Sequence, residues 1–298
     1  MKALKQKIKK KHIDTSGYLF LLPALLFFVT FVLYPMVKGI YLSFFRFRGR
    51  NQVFYGLNHY ANLMHDDIFL KSMRNTAVIT LVAVPIVVML ALFIAIHIYN
   101  KHAAVRSFFR GVFYIPAISS VVSITVVWLW IYNPDFGILN YILKNVGLIS
   151  ENVQWLGNSK TAIYAIIAVL ITTSLGQPII LYVAALGNVP EELLESARID
   201  GAGNWVIFRK IIWPLIKPTT LYIVVTTTIN SFQIFSLIQL MTAGGPNYST
   251  STVMYLVYET AIILQEYGKA SAMGVILAVI IAIISTLQFK FLSDDVNY

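Results

Sequence analysis

Cysteine is absent from all 298 residues, which excludes a disulfide framework and any thiolate metal site while leaving the redox compartment open. Charge is scarce too. Only 12% of residues are Asp, Glu, Lys or Arg, against about 25% in a soluble globular domain. With 58% hydrophobic residues and a mean hydropathy of +0.72, the composition is that of a membrane protein. The net charge of +10 does not point to nucleic acid, because the basic residues sit in short segments between apolar runs, where membrane topology places them. The GNSKT stretch, Gly157 to Thr161, lacks the earlier glycine of a phosphate-binding loop and follows no strand, so it reads as a polar turn. The five histidines show no metal-like spacing.

Long apolar runs are what the chain does have. Six of them, 18–37, 76–98, 111–132, 161–187, 218–241 and 271–292, are each long enough to cross roughly 30 Å of hydrocarbon as a helix. Barrel strands would be shorter and alternating, so an all-α polytopic membrane protein with six transmembrane helices is expected. Six lysines precede the first run, and no small-residue cleavage site ends it; it reads as a retained helix. Placing residues 1–17 in the cytoplasm also places loops 99–110 and 188–217 and the tail 293–298 there, and 14 of the 23 Lys/Arg, Lys290 at the end of the sixth run included, fall on that side. Aromatic residues at the run ends, Trp128 and Trp130 among them, read as an interfacial belt ahead of a sugar-stacking platform.

The spans also lack chemistry. No Asp, Glu, Lys or Arg occurs between Pro218 and Tyr258, and ionisable groups at mid-membrane are what proton- and ion-coupled carriers keep despite a cost of roughly 2.5–3.5 kcal/mol each. A secondary carrier is therefore disfavoured, and a membrane-embedded enzyme would need an acid, base or nucleophile cluster that is missing. Neutral polar residues are present instead: Thr172, Thr173, Ser174, Gly176 and Gln177 in the fourth run, and Thr226, Thr227, Thr228, Asn230, Ser231, Gln233 and Gln239 in the fifth. Thr227, Asn230, Ser231 and Ile234 recur at helical spacing on one face. Such a stripe suits either an uncharged, hydroxyl-rich solute or helix–helix hydrogen bonding.

One segment is not oily. EELLESARIDGAGNWVIFRKIIWPLIKP, residues 191–218, begins with a helix start, Pro190 followed by Glu191 and Glu192 at the positive dipole end, and stops at Gly201 and Gly203. Ser196, Ala197, Gly201 and Ala202 leave an area almost without side-chain bulk. Trp205, Phe208 and Ile212 then mark an interfacial face. The pattern describes a short, rigid knob at the cytoplasmic surface, shaped for a cleft on a soluble partner.

This stretch resembles the coupling motif of ABC-type importer permeases: Glu-Ala-Ala, three residues, Gly, nine residues, then Ile-x-Leu-Pro. Here it reads Glu195-Ser196-Ala197, three residues, Gly201, nine residues, Ile211-Ile212-Trp213-Pro214, with Ser196 for alanine and Trp213 for leucine. Tyr55 to Tyr60, Asn133 to Asn140, Ile199 to Ala202 and Thr242 to Asn247 are similar to the carbohydrate branch of that family. The resemblance implies a permease fold over 18–292 that pairs with a second related permease. It also implies two ATPase subunits carrying ATP-Mg, no cofactor on this chain, and an extracellular sugar-binding protein in a bacterial cytoplasmic membrane. Glu195 would meet a basic residue of the ATPase cleft, with Ser196, Ala197, Gly201 and Ala202 allowing the close fit. Solute contacts would come from Ser174, Leu175, Gly176, Gln177 and Ile179 and from Thr227, Asn230, Ser231 and Ile234. Ile179 and Ile234 stand where disaccharide permeases carry an aromatic and an amide. Residues 243–269 would dock the binding protein or close the pore, and a glycerol-phosphate importer of the same type is the alternative.

Overall fold

A computed structural model describes residues 16–48 and 51–292. The six N-terminal lysines, Arg50 and the tail 293–298 lie outside the described residues. The chain opens with α1 (Ser16–Phe28), a π-helical turn Val29–Leu33 and α2 (Tyr34–Leu42). From Leu19 to Leu42 they form one continuous apolar helix, none of whose most apolar stretch is buried inside the chain. The π-turn falls just before Pro35, whose missing N–H breaks the regular ladder. A hairpin, β1 (Phe45–Arg48) and β2 (Asn51–Phe54), pairs antiparallel with Phe45 opposite Phe54, and a short helix α3 (Asn58–Leu63) follows.

The central helix is α4 (Asp67–Tyr99), 33 residues and therefore about 50 Å long. Asp66 caps it by accepting hydrogen bonds from the amides of Ile68 and Phe69 at 3.0 and 3.1 Å. The apolar run 111–132, expected as one span, is two helices, α5 (Ala103–Ile118) and α6 (Val121–Ile131), bent by 98°. Ser119 and Ser120 both adopt extended ψ there, and Ser119 turns its hydroxyl back to the Ile115 carbonyl. A short α7 (Ile138–Asn145) leads to the fourth run, which is likewise broken into α8 (Ala162–Ser174) and α9 (Gly176–Gly187) with a 42° bend. The cause is Pro178, which has no N–H for the carbonyl of Ser174 four residues earlier.

After the polar segment α10 (Glu191–Ile199) and α11 (Asn204–Ile207), a second π-turn, Phe208–Ile212, precedes Pro214 and feeds α12 (Trp213–Phe232). The fifth run was expected to continue to 241. Instead α12 stops at Phe232 and a separate α13 (Ser236–Met241) begins after a break. Thr252 holds that break open by donating its hydroxyl to the Ile234 carbonyl at 2.9 Å. The segment 242–252 is itself pinned to α4: Asn75 donates to the Tyr248 and Ser251 carbonyls, Ser72 to Ser251, and the Val253 amide to Thr76. The chain ends with α14 (Val253–Tyr258), a π-turn Glu259–Ile263 and α15 (Tyr267–Leu292).

Three buried apolar clusters hold these elements. One joins α4, α8 and α13 through Ile79, Ile166 and Ile238; a second joins α4, α9 and α12 through Val87, Ile179 and Ile223; the third joins α3, α14 and α15 through Leu63, Leu256 and Met273. Among the described residues three helices, Leu19–Leu42, Asp67–Tyr99 and Tyr267–Leu292, are long and apolar enough to cross a membrane, or five if each bent pair counts as one span. The helix α12, at 20 residues and carrying Lys217, is outside that count.

Candidate translocation pocket and coupling helix

The bend between α8 and α9 opens a polar cavity of about 190 Å³ against α5 and α12. Its wall is Ala117, Thr173, Ser174, Gln177, Pro178, Leu181, Ile223, Thr226, Thr227 and Asn230. Thr173 and Thr226 turn their hydroxyls back to carbonyls of their own helices. Ser174, Gln177, Thr227 and Asn230 make no side-chain hydrogen bond among the described residues, so their donors and acceptors are open to a solute. The pocket thus presents hydroxyls and amides and no ionisable side chain.

The nine residues singled out as solute contacts therefore divide. Ser174, Gln177, Thr227 and Asn230 line the cavity. Leu175 and Ile179 are buried in the cluster between α4, α9 and α12, and Ile234 packs in the cluster around α8. Ser231 is buried and away from the cavity wall. Gly176 acts on the cavity's shape. A Cβ built there would lie 2.8 Å from the Phe113 carbonyl oxygen and 3.0 Å from the Tyr114 Cα, so only glycine lets α5 cross this close to the start of α9. Thr226 and Thr173 had been visible in the sequence as neutral polar residues. Ala117 and Leu181, apolar members of long apolar runs, carried no signal.

The second site is the knob at the far end of α9. Val189 and Leu194 pack into the same cluster as Ile179 and Ile216, and Ile207 is buried, which anchors the segment to the bundle. Outward, Glu195 and Ser196 are exposed and Ala197 and Ala202 are half-buried, while Ile199 stands 86% exposed. The turn after α10 is closed by two backbone bonds, Ala202 N–H to the Ala197 carbonyl at 2.9 Å and Gly201 N–H to the Arg198 carbonyl at 3.0 Å. That closure places Gly201 at φ +77°, the left-handed region that favours glycine. A Cβ at Gly201 would touch nothing within 4 Å, so within this chain its role is backbone conformation. Beyond α10, Trp205 stacks on Phe208 at 5.7 Å, and Phe208 meets Trp213 at 6.3 Å with the rings tilted by 45°, beside the exposed Arg209 and Lys210.

Residues 69–294 match the model of the binding-protein-dependent transport system inner membrane component. The chain belongs to that permease family. It is 30% identical over 283 residues to the lactose transport system permease protein LacF of Rhizobium radiobacter, covering 94% of this chain and 95% of that one. It is 29% identical over 284 residues to the sn-glycerol-3-phosphate transport system permease protein UgpA of Agrobacterium fabrum, covering 94% and 96%. Its fold matches a chain of a bacterial alginate ABC transporter crystallised with a periplasmic protein bound to an alginate pentasaccharide, with a TM-score of 0.80, 23% identity and coverage of 92% and 93%. Membership of this permease family accounts for the long apolar helices.

Proposed function

We propose that this permease forms half of the pathway of an ATP-driven, binding-protein-dependent importer of a neutral, hydroxyl-rich solute, a sugar. The observation that carries the substrate class is the cavity between α8, α9 and α12: four side chains with free hydrogen-bonding capacity and no charge. Of the four, Thr227 is buried, Ser174 half-buried and Gln177 and Asn230 exposed, and unpaired hydrogen-bonding groups gathered on one wall favour a ligand that pairs them. A phosphorylated solute would bring about two negative charges and favour a cationic wall, so the glycerol-phosphate reading is second. The missing mid-membrane charges weigh against a secondary carrier.

The architecture in this reading has six spans, with α12 as the fifth, and both termini in the cytoplasm of a bacterial cell. A second, related permease completes the pathway. Two ATPase subunits hold ATP-Mg, and an extracellular sugar-binding protein delivers the solute. The helix α10 enters a cleft on one ATPase, Glu195 facing a basic residue and Ser196, Ala197 and Ala202 allowing close approach. Closure of the ATPase dimer moves α10 as a lever, and the bundle alternates between outward- and inward-open forms. The permease performs no covalent chemistry.

The test is uptake into proteoliposomes holding the assembled complex and its binding protein. ATP-dependent accumulation of neutral di- and oligosaccharides is expected, with glycerol 3-phosphate excluded. Preferential accumulation of glycerol 3-phosphate would overturn the substrate class, and uptake driven by an ion gradient without ATP would overturn the mechanism.

A further inference from the structure

The helix that follows the knob has a base of its own character. α11, the π-turn Phe208–Ile212 and α12 succeed one another without a break, so Asn204 to Phe232 is one helical rod. One side of its base is fixed to the bundle: Ile207 is buried, and Ile211, Ile212 and Trp213 pack against the cluster that holds Ile179, Val189 and Ile216. The other side is open. Trp205 is 70% exposed, Val206 and Leu215 are exposed too, and the exposed Arg209 and Lys210 make no ion pair among the described residues.

Charge is segregated by sign along this stretch. The knob holds Glu191, Glu192, Glu195 and Asp200 against Arg198 alone, whereas no Asp or Glu occurs from Gly201 to Tyr258. The base of the rod is therefore purely cationic, and its cations lie between large aromatic side chains. Trp205 and Trp213 are about 12 Å apart along the axis at 1.5 Å per residue, and from Pro214 to Tyr258 the sequence carries no charge but Lys217. The cluster thus stands where the rod passes from water into hydrocarbon. Tryptophan and basic heads at that level match the headgroup layer, and the anionic lipids of a cytoplasmic leaflet favour each basic residue there by about fivefold in affinity. The ATPase is the poorer match, because a basic cleft that accepts Glu195 would repel Arg209 and Lys210.

We propose that Arg209 and Lys210, flanked by Trp205, form a binding site for the headgroup of an anionic phospholipid. The lipid phosphate meets the two cations, and Trp205 lies along the boundary between headgroup and acyl chain. The same rod carries Thr227 and Asn230 to the solute cavity, so the bound lipid anchors the element that joins knob to cavity. Assigning the site to the cytoplasmic leaflet rests on the importer reading; the binding chemistry does not.

The experiment titrates the permease, purified with its companion in non-ionic detergent, with phosphatidylglycerol, phosphatidylcholine or inorganic phosphate, and reads the concentration that gives half the thermal stabilisation. A ligand bound only by the folded state raises stability with its concentration. Wild type should be stabilised by phosphatidylglycerol and by neither of the others. Arg209→Gln and Lys210→Gln should each raise the half-effect concentration about fivefold, and together about twenty-fivefold. Arg209→Lys and Lys210→Arg, which keep the charge, should stay within about twofold. Lys160→Gln, at an exposed lysine of the loop between α7 and α8, should change nothing. Unshifted glutamine variants remove the site. Equal stabilisation by inorganic phosphate would make it a free-anion site, and an equal shift in Lys160→Gln would reduce it to diffuse charge; either overturns the proposal. So does a double glutamine variant that binds phosphatidylglycerol as wild type does but loses the ATPase, since the surface then belongs to that subunit. A permease that takes phosphatidylglycerol as expected yet holds no ATPase would uphold the lipid site and remove the importer reading.

Discussion

Gly201 offers a prediction in which two physical explanations rank the same variants in opposite order. If the glycine serves the backbone, the substituents are graded by how well they tolerate φ +77°. An alanine in the left-handed region costs roughly 1–2 kcal/mol, while asparagine enters it several-fold more readily than other non-glycine residues. Because a Cβ there touches nothing within 4 Å, no steric term within the chain offsets that cost. Gly201→Ala should loosen the turn that sets Ala202 against Ala197, and the ATPase must restore it on binding, about a tenfold loss of affinity for 1.4 kcal/mol. Gly201→Asn should lose about threefold or less. If the glycine instead serves only close fit in the ATPase cleft, the smaller alanine is tolerated and asparagine is not. The assay titrates purified ATPase onto the permease pair in nanodiscs, following bound ATPase. Weaker binding by Gly201→Asn than by Gly201→Ala would refute the backbone argument.

Other outcomes follow from the same geometry. Gly176→Ala should destabilise the purified permease by about 1–2 kcal/mol, overpacking at the Phe113 and Tyr114 backbone exceeding the helix-propensity gain; Gly111→Ala, with nothing near its Cβ, should be neutral or stabilising, and thermal unfolding in detergent compares them. Asn230→Leu, which removes an amide from the cavity wall at similar volume, should lower sugar uptake about tenfold while basal ATP hydrolysis persists, read by transport and hydrolysis on one preparation. For Asp66, burial pushes the carboxyl up, but the Lys269 ammonium and the Phe69 and Ile68 amides prevail and hold it below its ordinary 3.8. A lowered carboxyl adds stability above its unfolded value and loses it as pH falls through the folded one. Asp66→Asn, still able to cap α4, should therefore cost about 0.5–1 kcal/mol at neutral pH and nothing in strong acid, by unfolding at both pH values.

Where the sequence was legible, local chemistry decided the structure. The start of α10 at Pro190 and Glu191 and its stop at Gly201 follow from propensity, dipole and φ alone, and the glycine's position survives in the fold. The helical content of the apolar runs follows from hydrophobic length. What the runs do not encode is where they bend. Residues 111–132 are an uncharged, mostly apolar run, yet the chain turns through 98° at Ser119 and Ser120. The stripe on the fifth run assumed a helix through Ile234. Because α12 ends at Phe232, held by a hydroxyl from Thr252 that is distant in sequence, Ile234 leaves that face and enters the core. Ser231 is turned away for a subtler reason: its neighbours Thr227 and Asn230 face the cavity while it lies at that stripe's buried edge.

The central claim, that α10 is the element through which ATP drives this permease, is tested most directly at Ser196. This side chain is exposed on an ordinary helical backbone, so Ser196→Trp perturbs neither the turn nor the bundle. Wild-type permease, co-expressed with its companion permease and ATPase and purified in mild detergent, should retain the ATPase. The tryptophan variant should retain the companion permease and lose the ATPase. Equal retention of ATPase by both, or none by wild type, would contradict the account.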